Sequence, residues 1–263
     1  MMQASPADPP LDLGVMDSTL DGGLTARAAL GVVVLATDQT LEHEFRFLLD
    51  GSVFPGVAFY VARVFNDADI TPATLQAIGA RLTAGTALIL PGSPLDVVAF
   101  GCTSATMVLG EDAVFAELRK ARPGVACTTP ITGALAAFQA LGARRIGLLT
   151  PYRPDINRGI AAYFAGRGVH VAATATFDRV DDRDAARIQV ADIEDAAARM
   201  AQSGAIDALF VSCTSLRVAE AVDRIERRTG LPVTSSNHAM AWHMLRLAGI
   251  TDPAPGAGRL FRL

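Results

Sequence analysis

Two stretches of this chain follow one plan, and that repetition narrows the folds open to it. Gly101-Cys102-Thr103-Ser104 follows an apolar run at 97–100, and Ser212-Cys213-Thr214-Ser215 follows another at 208–211. After each triplet come a helix-like segment, a short apolar stretch (124–129 or 231–236) and a second helix. That second helix stops at Gly142 or Gly249, a residue that enters the left-handed region without strain. Duplication of one unit explains these matches better than coincidence.

The rest of the chain agrees with such a unit. Strands are expected at 29–35, 57–64, 87–90, 97–100, 145–149, 169–173, 208–211 and 231–234. Helices are expected at 40–49, 71–84, 111–122, 131–141, 157–167, 187–203, 216–229 and 239–248. Strand–helix alternation implies an α/β fold of parallel sheets. The expectation is two similar Rossmann-like or flavodoxin-like halves related by pseudo-twofold symmetry, with the active site between them. The first half spans 28–137 and carries Cys102; the second spans 138–250 and carries Cys213. Residues 1–27, rich in Pro, Asp, Ser and Gly, read as a flexible arm, and 251–263 as a tail packing back on the fold.

Composition excludes several classes. A net charge of -4 argues against nucleic-acid binding. The chain has no apolar run of membrane-spanning length and no positively charged leader, so a soluble cytoplasmic protein is expected. Three cysteines are too few for a disulfide scaffold and fit a reducing compartment. His43, His170, His238 and His243 show no metal-ligand spacing, and phosphate-binding glycine motifs are missing, so no metal and no cofactor are expected.

In parallel sheets, ligands sit beyond the carboxyl ends of the strands, against helix N-termini. Both Cys-Thr-Ser triplets fall at such junctions, where the helix end is expected to lower the thiol pKa while Thr and Ser hold an anion. Two thiols facing one cleft suit a cofactor-free racemase or isomerase, one acting as base and the other as acid. Mutual repulsion then favours one thiolate and one thiol. A cysteine ending a strand is ordinarily core filler. The matched pair argues otherwise for Cys102 and Cys213, whereas Cys127 keeps the filler role.

These residues resemble the aspartate/glutamate racemase superfamily, in its maleate cis-trans isomerase and arylmalonate decarboxylase branch. The resemblance runs from Gly31 to Phe261. It rests on the segment 36–42, Phe100 to Ser104, Thr150-Pro151-Tyr152 with Asn157, Ser212 to Ser215 and the tail 255–261. Within the branch, the LATDQTLEHEFR segment looks most like the ectoine-utilisation protein A group. The resemblance implies that Cys102 and Cys213 are the catalytic pair. It also implies that Thr103, Ser104, Thr214 and Ser215 bind a substrate carboxylate and that Tyr152 joins their pocket.

The decarboxylases of the branch carry Gly where Cys102 stands, so two thiols favour an isomerase or racemase. Maleate isomerases carry Asn where this chain has Asp38, and a second family Asn aligns with Asp182. An ionised Asp only accepts hydrogen bonds and repels a carboxylate. The expected substrate is therefore a small, amino-acid-like carboxylate of the kind met in ectoine breakdown. Maleate isomerisation, arylmalonate-type decarboxylation and a non-catalytic carboxylate sensor are the alternatives. A homodimer is expected on base rates.

Overall fold

The computed structural model describes residues 11–67, 71–179 and 181–263. Of the expected arm, residues 1–10 lie outside the described residues; 11–26 are almost wholly exposed. Two four-stranded sheets, parallel throughout, carry the fold. In the first, β1 (Ala28–Leu35) lies between β2 (Val57–Val64) and β3 (Val97–Gly101), and β4 (Ala126–Thr128) lies beyond β3. The second repeats that order with β6 (His170–Thr176), β5 (Arg145–Thr150), β7 (Ala208–Val211) and β8 (Val233–Ser235). The fold is the α/β class that the alternation implied. Every residue of β1, β3 and β7 is buried, as strands covered on both faces require.

The helices are α1 (Leu41–Leu48), α2 (Pro72–Ala87), α3 (Thr103–Leu109), α4 (Glu111–Ala121) and α5 (Pro130–Leu141), followed by α6 (Pro154–Ala165) and α7 (Asp182–Ala185). The chain closes with α8 (Val190–Ala201), α9 (Val222–Thr229) and α10 (Ser236–Leu247). One face of the first sheet packs on α2, α3 and α4 through Ile78, Leu82, Ala105, Val114 and Leu118. Its other face meets α10, a helix of the second repeat, which packs against β3 and β4. The reverse holds for α5, which spans the point where the repeats join. Its Phe138 stacks edge-on against Phe164 of α6 and Phe210 of β7, each with ring centroids 5.5 Å apart. Such pairs add about 1 kcal/mol each beyond their burial.

The two exchanged helices also touch each other closely. At Gly133 a Cβ would lie 2.8 Å from the Ala239 carbonyl oxygen, so Gly lets α5 and α10 meet backbone to backbone.

Two expected elements are different in the structure. The run 87–90 is not a strand: α2 continues to Ala87 because Leu82 and Thr86 are buried on its inner side, and the chain then turns through a left-handed Leu90. The helix expected from Leu216 begins only at Val222, after turns and a short 3-10 segment at Ala219–Ala221.

Candidate active site

The four central strand ends converge on one place. In each sheet the order of strand addition reverses between the two inner strands, β1 and β3 or β5 and β7, and such switch points open the crevice used by ligands. Asp38 follows β1, Cys102 follows β3, Tyr152 follows β5 and Cys213 follows β7.

Cys102 caps α3, and its Sγ accepts the Ala105 N–H at 3.4 Å and lies 3.6 Å from Ser104 Oγ. The Cys213 Sγ accepts the Ser215 N–H at 3.4 Å and is hydrogen-bonded by the Tyr152 hydroxyl. Tyr152 also feels Cys102 and Asp182, which ties the residues of both repeats into one group. Cys102 is 4% exposed, Cys213 3% and Tyr152 5%, so this group is closed to solvent. A cavity of about 20 Å³ adjoins it, lined by Leu35, Leu75, Ile78, Ser104 and Asp182 among others. That is room for about one water, so a substrate enters only when the site opens.

The expected fall in thiol pKa is reversed. Burial pushes both thiols up, to about 12, and outweighs the N–H and hydroxyl groups that favour the thiolates. The field of Asp182 raises both further, and Asp38 adds to the effect on Cys102. Helix α3 does start at Cys102, but no helix starts at Cys213, so the dipole argument fails for the second thiol. Both cysteines rest as neutral thiols.

Two carboxylates face them. Asp38 Oδ1 accepts the Thr40 and Leu41 N–H groups, each at 2.8 Å, and Oδ2 has no close hydrogen-bond partner among the described residues. Burial raises Asp38, while these N–H groups, the Thr214 side chain and Arg63 oppose the rise. Arg63 is already engaged, donating to the carbonyls of Ala36 and Asp38 and pairing with Glu42 at 2.6 Å. Asp182 begins α7, and its carboxyl turns inward. Burial first, then Asp38 and Asp181, push it up to about 6, against a hydrogen bond from Ser215.

The remaining expected residues divide. Ser104, Thr214 and Ser215 face the group. The Thr103 hydroxyl instead meets Ser236 Oγ at 3.0 Å, which leaves its helix-start N–H for a ligand. Cys127 lies on β4, level with Val98 of β3 and so below the strand ends, within the apolar cluster that also includes Cys102.

Sequence reasoning missed Ser236, Asn237 and Glu44. Ser236 Oγ accepts the Cys213 N–H at 3.0 Å, and Asn237 Nδ2 donates to the Thr214 carbonyl and to Glu44, each at 2.8 Å. A signal existed for each: polar residues open an otherwise apolar α10, and Glu44 sits in the stripe of Leu41, Phe45 and Leu48.

A family model described as arylmalonate decarboxylase matches residues 50–261. The chain belongs to the arylmalonate decarboxylase family. An arylmalonate decarboxylase of Bordetella bronchiseptica is 36% identical over 140 residues, which is 52% of this chain and 58% of that protein. The fold is similar to the Nocardia farcinica maleate cis-trans isomerase bound to TRIS, with a TM-score of 0.80 and 27% identity. A mutant of that isomerase holding a covalently bound succinylcysteine intermediate gives 0.79 and 28%. Each of those comparisons covers 89% of this chain and 98% of the other. The family thus joins decarboxylases and isomerases, within the branch of the aspartate/glutamate racemase superfamily that the paired Cys-Thr-Ser segments suggested. Among the described residues no helix is long and apolar enough to cross a membrane.

Proposed function

We propose that this family member is a cofactor-independent isomerase or racemase using Cys102 and Cys213 on a small carboxylate that also carries an ammonium or amide N–H. The observation that carries this reading is the company the thiols keep: two inward carboxylates, Asp38 and Asp182, beside a pair of matched cysteines. An anionic pocket with an engaged Arg63 disfavours a dianion and favours a substrate with a positive end.

The same electrostatics supplies the activation step. A cation seated against Asp38 and Asp182 cancels their field at both sulfurs, and one thiol passes its proton to solvent water while the site is open for substrate entry. That thiolate takes the proton from the carbon beside the substrate carboxylate. The opposite thiol gives its proton to the other face of the same carbon, and the configuration inverts. The N–H groups of Thr103 and Ser104, with Thr214 and Ser215, hold the carboxylate, and the Tyr152 hydroxyl stabilises the negative charge that develops on it. The likeness of the segment around Asp38 to an ectoine-utilisation group suggests a diaminobutyrate-like intermediate of ectoine breakdown as substrate.

A second reading, maleate cis-trans isomerisation, is favoured by the succinylcysteine held by the similar Nocardia farcinica enzyme. There a thiolate adds to the double bond, the new single bond rotates, and elimination restores the thiolate. The Asp182 carboxyl, pushed up to about 6, can be neutral toward such a substrate in mild acid, and burial moves Asp38 in the same direction.

Incubation in deuterated water separates the two readings. A panel of diaminobutyrate, its N-acetyl forms, maleate and phenylmalonate is followed by NMR. Deuterium beside the carboxylate of an amino compound, with inversion, supports the proposal. Turnover of maleate at a rate typical of an isomerase, with no exchange into amino compounds, sinks it.

A further inference from the structure

Glu44 is a wholly buried carboxylate to which the proposed chemistry gives no part. Its Oε1 accepts the N–H groups of Val218 and Ala219, the latter at 2.6 Å, and its Oε2 accepts Asn237 Nδ2 at 2.8 Å. The same Asn237 nitrogen donates to the Thr214 carbonyl, and Thr40 Oγ1 donates to the Ser215 carbonyl at 2.9 Å. The segment that follows Cys213 is therefore held from α1 and α10. The first repeat needs no such hold, because α3 starts at Cys102 and orders its own N–H groups. At the matching point of the second repeat no helix forms until Val222, and an external carboxylate takes the exposed N–H groups instead.

We infer that Glu44 is the positioning residue of the second thiol, its carboxylate holding the loop from Cys213 to Ala219 through Val218, Ala219 and Asn237. The inference rests on Cys213 being a reacting group, as proposed above.

The hold is tightest in the ionised form, because a neutral carboxyl is a weaker acceptor for the N–H groups of Val218, Ala219 and Asn237. Turning the Asn237 amide would offer that neutral carboxyl Oδ1, which has no partner among the described residues, but would give up the bond to the Thr214 carbonyl. Protonation of Glu44 therefore loosens the grip on Thr214 through Asn237. Burial pushes Glu44 up to about 7, Asp38 raises it further, and the donors from Ala219, Asn237 and Val218 oppose the shift. Apart from Asp38, the charged and titratable groups that face it are His43, Arg217, Glu220 and Arg224. These line, with Glu44, a surface cavity of about 160 Å³.

The test labels the intact protein with iodoacetamide and follows Cys102 and Cys213 separately by peptide mass spectrometry. The quantity read is the ratio of the two rates, which cancels the pH dependence common to both thiols. Asp182 acts more strongly on Cys213 than on Cys102, so the profile is read in an Asp182→Asn background, the parent for this test, which removes its step near 6. In the parent protein the ratio should change by roughly 5-fold or more across pH 7, the scale set by one charge-assisted hydrogen bond. In Glu44→Gln it should differ from the parent value at pH 8 by a similar factor and be flat with pH. A parent ratio that is flat from pH 6 to 8, or a pH step that survives in Glu44→Gln, overturns the inference. If Glu44→Gln does not fold, the parent profile alone decides, and Asn237→Ala supplies a second variant expected to flatten it. Full turnover by Cys213→Ala would sink the two-thiol reaction instead, an outcome that the labelling ratio does not touch.

Discussion

Thr103 and Ser236 join hydroxyls across the two repeats at 3.0 Å, directly beneath the thiols. Ser236 Oγ also accepts the Cys213 N–H, and either hydroxyl can donate in its pair with Thr103. One side chain thereby sets the spacing between the residue after the first cysteine and the backbone of the second. Ser236→Ala leaves the buried Cys213 N–H unpaired and should cost about 1–3 kcal/mol of stability, read from urea unfolding. Thr103→Val removes only the hydroxyl pair and should cost less. Equal losses from the two variants would refute this link.

Cys102→Ala and Cys213→Ala should each lower racemisation or isomerisation by roughly 10³-fold or more, as loss of a proton donor or acceptor does. Either variant retains one thiol, so exchange of a substrate proton with deuterated solvent should persist on one face. Cys127→Ala should leave turnover unchanged, because that sulfur sits level with Val98, below the strand ends that carry the site, and donates to the Val125 carbonyl. Full activity in both single variants would exclude the two-thiol mechanism.

Tyr152→Phe should reduce kcat by about 10²-fold with a small change in KM, since the hydroxyl is aimed at the reacting group rather than at the substrate's distal end. The Phe ring keeps the buried volume, so thermal unfolding should shift little. Steady-state kinetics beside a melting curve separates these effects.

Asp182 titrates at about 6, and above that pH it contributes negative charge to the site. For a substrate with an ammonium group, kcat/KM should therefore fall as pH drops through 6. Asp182→Asn should remove that limb and weaken the cation by about tenfold. With maleate the sign inverts, and both acid and the Asn variant should improve binding. A pH profile identical for cationic and dianionic compounds would count against the anionic pocket.

Glu44 and His238 pull stability in opposite directions with pH. The folded-state pKa of Glu44 is raised to about 7, so its contribution is complete below its unfolded value of 4.5 and is lost as pH rises through 7. Burial lowers His238 to about 4, partly offset by its bond to the Ala257 carbonyl. Its contribution is present above 6.5 and is lost as pH falls through 4. Each spans about 3 kcal/mol, so between pH 6.5 and 4.5 they nearly cancel. Denaturant melts should show Glu44→Gln losing stability steadily on acidification. His238→Gln should gain stability from pH 7 to 5. Parallel slopes in the two variants would contradict the assignment.

The sheets and the site's main residues were legible because they are local. Eight apolar residues at Ala28–Leu35 and the paired Cys-Thr-Ser segments need no tertiary information to be recognised. What stayed hidden depends on contacts far apart in sequence. The hold of Glu44 on Val218 and Ala219 links residues about 174 positions apart, and it replaces the helix expected after Cys213. The thiol pKa values were misjudged for a similar reason. A helix end is visible in sequence, whereas the burial and inward carboxylates that overcome it appear only when both halves close. Val97, Val98 and their neighbours read as strand and are strand, but 87–90 is equally apolar and turns: α2 ends at Ala87, Leu88 is exposed and Leu90 is left-handed.

The exchange of α5 and α10 sets a limit on the ancestry of this architecture. A lone first repeat would leave one face of its sheet covered by α1 alone, without the helix that packs on β3 and β4. Such a chain gains a closed interior only by pairing with a twin, each lending the other its last helix. The duplicated protein is that pair written as one polypeptide. Its two reactive ends were then free to diverge, one keeping a helix behind its cysteine and the other a borrowed carboxylate.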